Sequence, residues 1–348
     1  MAERTTINKQ LRMLADTYWV FTGGVAKQKN RIDAVKRGDD WVDEETWEAY
    51  QVWLNRLKSY KDLVVEDMKP VLAYHPCWPF LQSIAGIAEG IGGTLLGWWG
   101  DLERYPLPSK FIRHSGYGLF DYYCDEETHQ VLMPVKGWRW RTVFDDKGNK
   151  VKEKYWCQPP QPEGSYIAVR RDRPIAGWVL PYNKKLKSRL YQTVTQFSKN
   201  RGQVGHHIYM DTVYDEYKGI YQARPLKGPS KCPFDEVHRG KGGKIIKCSL
   251  KGHIENATRR QVAVKFMHHV WEYWRLAEGK VIRGPYAQDK LGHMMRYPLK
   301  NFTNIPIPAE PRPWDERDER AAMPERFKDE DSQDNAEGES VNDGTEAG

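Results

Sequence analysis

The chain has 348 residues, 39% hydrophobic and 29% charged, with a mean hydropathy of -0.77, which suits one large domain or two ordinary ones and excludes a polytopic membrane protein. The formal charge of +7 is unevenly spread: Ala309 to Gly348 holds 14 Asp/Glu against 5 Lys/Arg, leaving a net +16 on the remainder. Such a basic body attracts polyanions by counterion release, and the acidic tail either competes for the same surface or simply solubilises the chain.

The longest apolar stretch, around Ile91 to Trp99, is broken by glycines and falls far short of the roughly 20 residues that span a bilayer. The polar start, Met1 to Gln10, has no charged-then-apolar leader, so a cytoplasmic location with no membrane partner is expected. Five cysteines (Cys77, Cys124, Cys157, Cys232, Cys248) without paired spacing argue against a disulfide framework. Cys232, His238, Cys248 and His253 have the composition of a tetrahedral zinc shell, but no CxxC anchors them and the intervening GKGGK reads as mobile. No metal and no other cofactor is therefore expected.

Ile7, Leu11, Leu14, Tyr18, Phe21, Val25, Ile32 and Val35 follow an alternating four-three spacing with Gln28 as its polar member, a heptad seam that ends at Gly38. Gly23 and Gly24 each cost roughly 1 kcal/mol relative to alanine there, so a kink or break can fall between them. A second helix starts after Asp43, with Glu44 and Glu45 in its first turn, and repeats the spacing through Trp47, Tyr50, Leu54, Leu57, Val64, Met68 and Val71. Residues 1–75 thus read as a helical hairpin or a dimerising coiled coil, with a homo-oligomer as the expected state.

Over 76–118, Ile84-Ala85-Gly86-Ile87 and Gly90-Ile91-Gly92 lie between two short apolar segments. Glycine there permits a tight turn and lets backbone amides approach a phosphate, which makes Gly86, Gly90 and Gly92 candidates for a helix-hairpin-helix cradle; glycine equally permits close helix packing. Residues 119–180 lose helical period and gain alternation (Trp138, Trp140, Val143, Tyr155, Trp156, Tyr166, Ile167, Val169), a small β-rich insertion leaving through Arg170, Arg171 and Arg173. Helical pattern returns over 181–303. Leu186, Leu190, Val194 and Phe197 mark one face, and Lys184, Lys185, Lys187 and Arg189 can track a nucleic-acid backbone or merely solvate the other. Further helices are expected over His207 to Gln222 and His253 to Glu278, and the second carries Arg259, Arg260 and Lys265. Adjacent arginines diverge by about 100°, so at least one should face solvent or a ligand; a phosphate clamp, which the planar forks suit, is the expected role, with a solvated helix face as the alternative. From 304 to 348 the chain is Pro-rich, then acidic, and reads as disordered. The fold class is therefore mainly α: a helical hairpin, then a helical domain holding a helix-hairpin-helix and a β-rich insertion.

Ile84-Ala85-Gly86-Ile87, Gly92, Gly100-Asp101, Arg104-Tyr105, Phe111 and Gly116-Tyr117-Gly118 resemble the C-terminal transposase domain of the insertion sequence 110 family. Tyr182-Asn183, Leu186-Lys187, Tyr217 to Tyr221, His253-Ile254, Arg259-Arg260 and Ala263-Val264-Lys265 continue the agreement in the same order, over roughly residues 5 to 300. The resemblance implies a DNA-binding, transposase-like protein of a mobile element or phage, acting in DNA recombination with DNA and a guide or structured RNA as partners. The family's other half is a RuvC-like domain whose four acidic residues bind metal; the first 80 residues show no βαβ pattern for it, so that half is expected to be absent. The alternative is a non-catalytic nucleic-acid-binding adaptor derived from such an enzyme. The resemblance also implies a serine nucleophile in a Ser-Gly context. Ser165 is nearest to Tyr182-Asn183 but has its glycine, Gly164, in front; Ser115-Gly116 has the dipeptide but lies earlier.

Overall fold

The computed structural model describes residues 2–118, 120–128, 131–144, 149–171, 182–282 and 297–309. It is mainly helical with two small antiparallel sheets, as the periodicities require. Helix α1 (Ala2–Arg37) runs without a break through Gly23 and Gly24. Gly24 faces Leu57 of α2 (Glu44–Ala73) so closely that a Cβ would lie 3.3 Å from its side chain, whereas Gly23 meets open space. Gly38 ends α1 at a φ of 77°, and the Asp43 carboxylate caps α2 by accepting from the Thr46 N–H at 2.7 Å. The two seams face each other. Gln28, the polar seam position, is buried and donates from Nε2 to the Tyr50 carbonyl at 3.2 Å.

Next come the short α3 (Trp78–Gln82), α4 (Glu89–Trp99) and α5 (Pro108–His114). Helix α4 is apolar all round apart from Glu89 and the buried Thr94, and it occupies the centre of the molecule between α1, α2 and α6 (Lys184–Val204). The β insertion comprises β1 (Phe120–Asp125), β2 (Val131–Pro134), β3 (Gly137–Phe144), β4 (Lys150–Cys157) and β5 (Tyr166–Arg171). They form a three-stranded sheet ordered β2-β1-β5 and a separate β3-β4 hairpin, all antiparallel. A π turn (Met210–Tyr214) leads into α7 (Asp215–Ala223), and α8 (Leu250–Ala277) closes the helical body.

One hydrophobic cluster runs through α1 to α8, so the N-terminal hairpin is a wall of the main core. Trp98, Trp99, Trp271 and Trp274 are fully buried. Each places its indole N–H on an acceptor: Trp98 on Asp16 at 3.2 Å, Trp99 on Ser115 at 2.9 Å, Trp271 on the Tyr105 carbonyl at 2.8 Å and Trp274 on Glu278 at 2.6 Å. The chain is anchored further along than its composition indicates, because Phe302 is buried and Ile305 and Ile307 pack against the core. The acidic stretch from 310 onward and Arg173 lie outside the described residues. No helix among the described residues is long and apolar enough to cross a membrane.

Candidate nucleic-acid interface and Cys/His cluster

The glycines of the hairpin serve packing. A Cβ on Gly90 would fall 2.7 Å from the Tyr18 ring, one on Gly92 2.3 Å from Trp78, and the Gly92 N–H is already spent on the Ala88 carbonyl at 2.9 Å. Glu89 occupies the first turn of α4, where a carboxylate complements the helix dipole and repels phosphate. Gly86, at a φ of 88°, makes the turn between α3 and α4 and leans on the Gln196 carbonyl of α6. His207, stacked on Phe197, donates from Nε2 to the neighbouring Ala85 carbonyl at 2.9 Å and pins that turn. Gly90 and Gly92 are thus sites where side chains of α1 and α3 come too near for any Cβ.

Most of the expected cations are occupied within the fold. Lys185 pairs with Asp16 at 2.8 Å over the Trp98 ring. Burial raises the Asp16 pKa, but hydrogen bonds from Lys185 and Trp98 and the Arg12 charge outweigh it and hold the carboxyl below its ordinary value. Lys187 lies over Tyr182, 5.1 Å from its centroid. Arg189, expected to face a nucleic-acid backbone or solvent, is instead buried 5.3 Å from the Tyr18 and Trp19 ring centroids and donates to Gln192. Arg259 binds Glu255 at 2.8 Å and reaches Tyr191 and Thr195 on α6, while Arg260 donates to the Tyr117 carbonyl at 2.7 Å. The two forks therefore brace α8 against different neighbours. Lys265 sits over Tyr297, and burial lowers its pKa. Lys184, at the start of α6, is exposed.

The serines separate cleanly. Ser115 is buried, accepting from the Trp99 indole and donating to the Phe111 carbonyl at 2.9 Å, so its hydroxyl is committed to structure. Ser165 is exposed just before β5, and its carbonyl accepts from the Glu126 N–H at 3.3 Å.

What the structure assembles lies between α7 and α8. Lys227, Lys231, Arg239, Lys241, Lys244 and Lys247 on this connection and Lys251 in the first turn of α8 are all exposed, against two acids, Asp235 and Glu236. A turn from Gly228 to Lys231 returns the chain to Cys232, which pairs with Lys227. Arg239 pairs with Ile245 across a tight hairpin whose tip carries Lys241 and Lys244. At its base converge Cys232, His238, Cys248 and His253, with one ligand atom from each within 4.8 Å of the others. Four donors without a CxxC spacing thus meet at one point. The sequence signal is the Cys/His alternation itself, ending at a helix start; the lysines carry no comparable signal, because a Lys/Gly-rich stretch reads as a mobile spacer.

No protein family, curated protein or solved structure matches this chain.

Proposed function

We propose that this chain is a nucleic-acid-binding protein of the transposase-like kind that its motif order implies, working as a binding component rather than as a strand-cutting enzyme. The observation that carries the reading is the basic segment of residues 226–251, which joins α7 to the first turn of α8 and where seven exposed cations accompany two acids. Lysines on a short turn offer point charges that follow a phosphate backbone without reading bases, so binding should depend steeply on salt and weakly on sequence. The adaptor side of the reading is supported by Ser115, whose hydroxyl is spent on the core.

Titration of a random-sequence duplex, a branched DNA, a single strand and a structured RNA at two salt concentrations tests this. The Lys241→Ala, Lys244→Ala, Lys247→Ala triple variant should lower the salt slope on duplex by about 0.9 for each phosphate that it no longer neutralises. Equal affinity and equal slope would sink the reading, and the preferred ligand identifies the partner class.

Self-association belongs to the same reading. Met13 and Val20 on α1 are exposed and seven residues apart, a second heptad pair outside the intramolecular seam, and Trp53 on α2 is exposed as well. Light scattering of a Met13→Glu, Val20→Glu variant, which should remain monomeric at concentrations where the native chain associates, checks it.

A further inference from the structure

We propose that Cys232, His238, Cys248 and His253 bind one zinc ion, and that this ion fixes the connection between α7 and α8. Two thiolates and two imidazoles are the donor set that zinc takes in closed, four-coordinate structural sites. With zinc–sulfur near 2.3 Å and zinc–nitrogen near 2.0–2.1 Å, the edges of such a tetrahedron are roughly 3.3 to 3.8 Å. His253 Nδ1 lies 3.5 Å from Cys232 Sγ and 3.3 Å from Cys248 Sγ, at the scale of those edges. His238 meets the His253 ring edge-on, with centroids 5.2 Å apart, and its Nε2 is buried without a hydrogen-bond partner. A buried imidazole nitrogen is seldom left unsatisfied, and a cation beside the two sulfurs would supply its partner.

The surroundings orient the donors. The Phe234 N–H points at Cys232 Sγ at 3.4 Å, as suits a sulfur carrying negative charge. Glu236 lies 3.8 Å from His253 Nε2, the nitrogen remaining when Nδ1 ligates, and a carboxylate there sets the ring's tautomer. Ser230, itself buried, ties the two arms together: its hydroxyl accepts from the His238 N–H at 2.8 Å and its carbonyl from the Cys248 N–H at 2.7 Å.

The connection also needs such a centre. Between Ala223 and Leu250 the regular structure amounts to two isolated β bridges and one 3₁₀ turn. Loops of this length without secondary structure of their own rarely hold one conformation. Phe234, against Tyr221 and His253, is half-buried, and Ile245 and Ile246 are exposed, so apolar burial contributes little here. A ligand shell drawing on the turn, the hairpin base, the return strand and the first turn of α8 crosslinks all four.

The test is the metal content of the full chain, purified with reduced thiols from zinc-supplemented medium. One equivalent of zinc per chain is expected. Cobalt exchanged into the site should show thiolate-to-cobalt charge transfer and the intense visible bands of a tetrahedral ion. Cys232→Ser with Cys248→Ser should lose at least nine-tenths of the metal. If that variant fails to fold, zinc released from the native chain by a thiol-modifying mercurial, with faster proteolysis confined to 226–249, reads the same site. Zinc below a tenth of an equivalent, a Cys232–Cys248 disulfide in the purified chain, or undiminished metal in the double variant would overturn the proposal. None of these readouts involves nucleic acid, so the two proposals fail separately.

Discussion

Gly97 of α4 lies against the Leu11 carbonyl of α1 so tightly that a Cβ would come within 2.4 Å of that oxygen. The obstruction is backbone on both sides, so it cannot be relieved by a rotamer change. Gly97→Ala should therefore force α1 from the core and cost roughly 1–3 kcal/mol or more, by the measure of overpacked interiors. Gly23→Ala, in open space on the same α1, should instead stabilise by about 0.5–1 kcal/mol through helix propensity. Urea denaturation of the two variants should give midpoints displaced in opposite directions.

Ser115→Ala removes the acceptor of the buried Trp99 indole. An unpaired buried donor costs about 1–3 kcal/mol, so the thermal midpoint should drop, whereas Ser165→Ala at an exposed turn should leave it unchanged. Any strand-cleaving activity that Ser165→Ala abolished would contradict the adaptor reading.

Acid should weaken the fold through its neutral histidines. His269 Nε2 donates to the Tyr297 carbonyl at 2.9 Å, so Nδ1 must accept from the Tyr209 hydroxyl, and no room remains for a second proton. Burial, opposed by the Tyr297 carbonyl and aided by Lys265, draws its pKa down to about 4; burial and the Arg104 charge do the same to His114, also to about 4. In the unfolded chain both titrate near 6.5. Between those values the unfolded state binds protons that the folded state refuses, so stability is full above pH 6.5 and falls as pH drops, levelling near 4. Each histidine contributes a slope of up to about 1.4 kcal/mol per pH unit in that window. His114→Leu should flatten the profile of urea midpoints by one such increment; an unaltered profile would contradict the assignment.

Arg260→Ala should act on stability before it acts on binding, because its guanidinium joins α8 to the Tyr117 carbonyl. A loss of about 1–3 kcal/mol in unfolding free energy, with a salt slope for duplex DNA close to native, is expected. A native midpoint together with a slope reduced by about 0.9 would restore Arg260 to the phosphate-binding surface.

The sequence by itself determined the elements whose causes are local. Heptad spacing placed α1 and α2, Asp43 marked the start of α2, Gly38 the end of α1, and alternation of aromatics marked β3, β4 and β5. Propensity, capping and periodicity act over a few residues, so they can be read in one dimension. Only the tertiary structure decided what particular residues do. Gly90 answers to Tyr18, 72 positions earlier, Arg260 to Tyr117, and the two cysteines to histidines that reach them only once a long irregular connection has folded. A glycine that admits a phosphate and one that admits a neighbouring ring look the same in sequence. What separates them is the atom that arrives from far along the chain, and cooperative packing of the whole core chooses that atom.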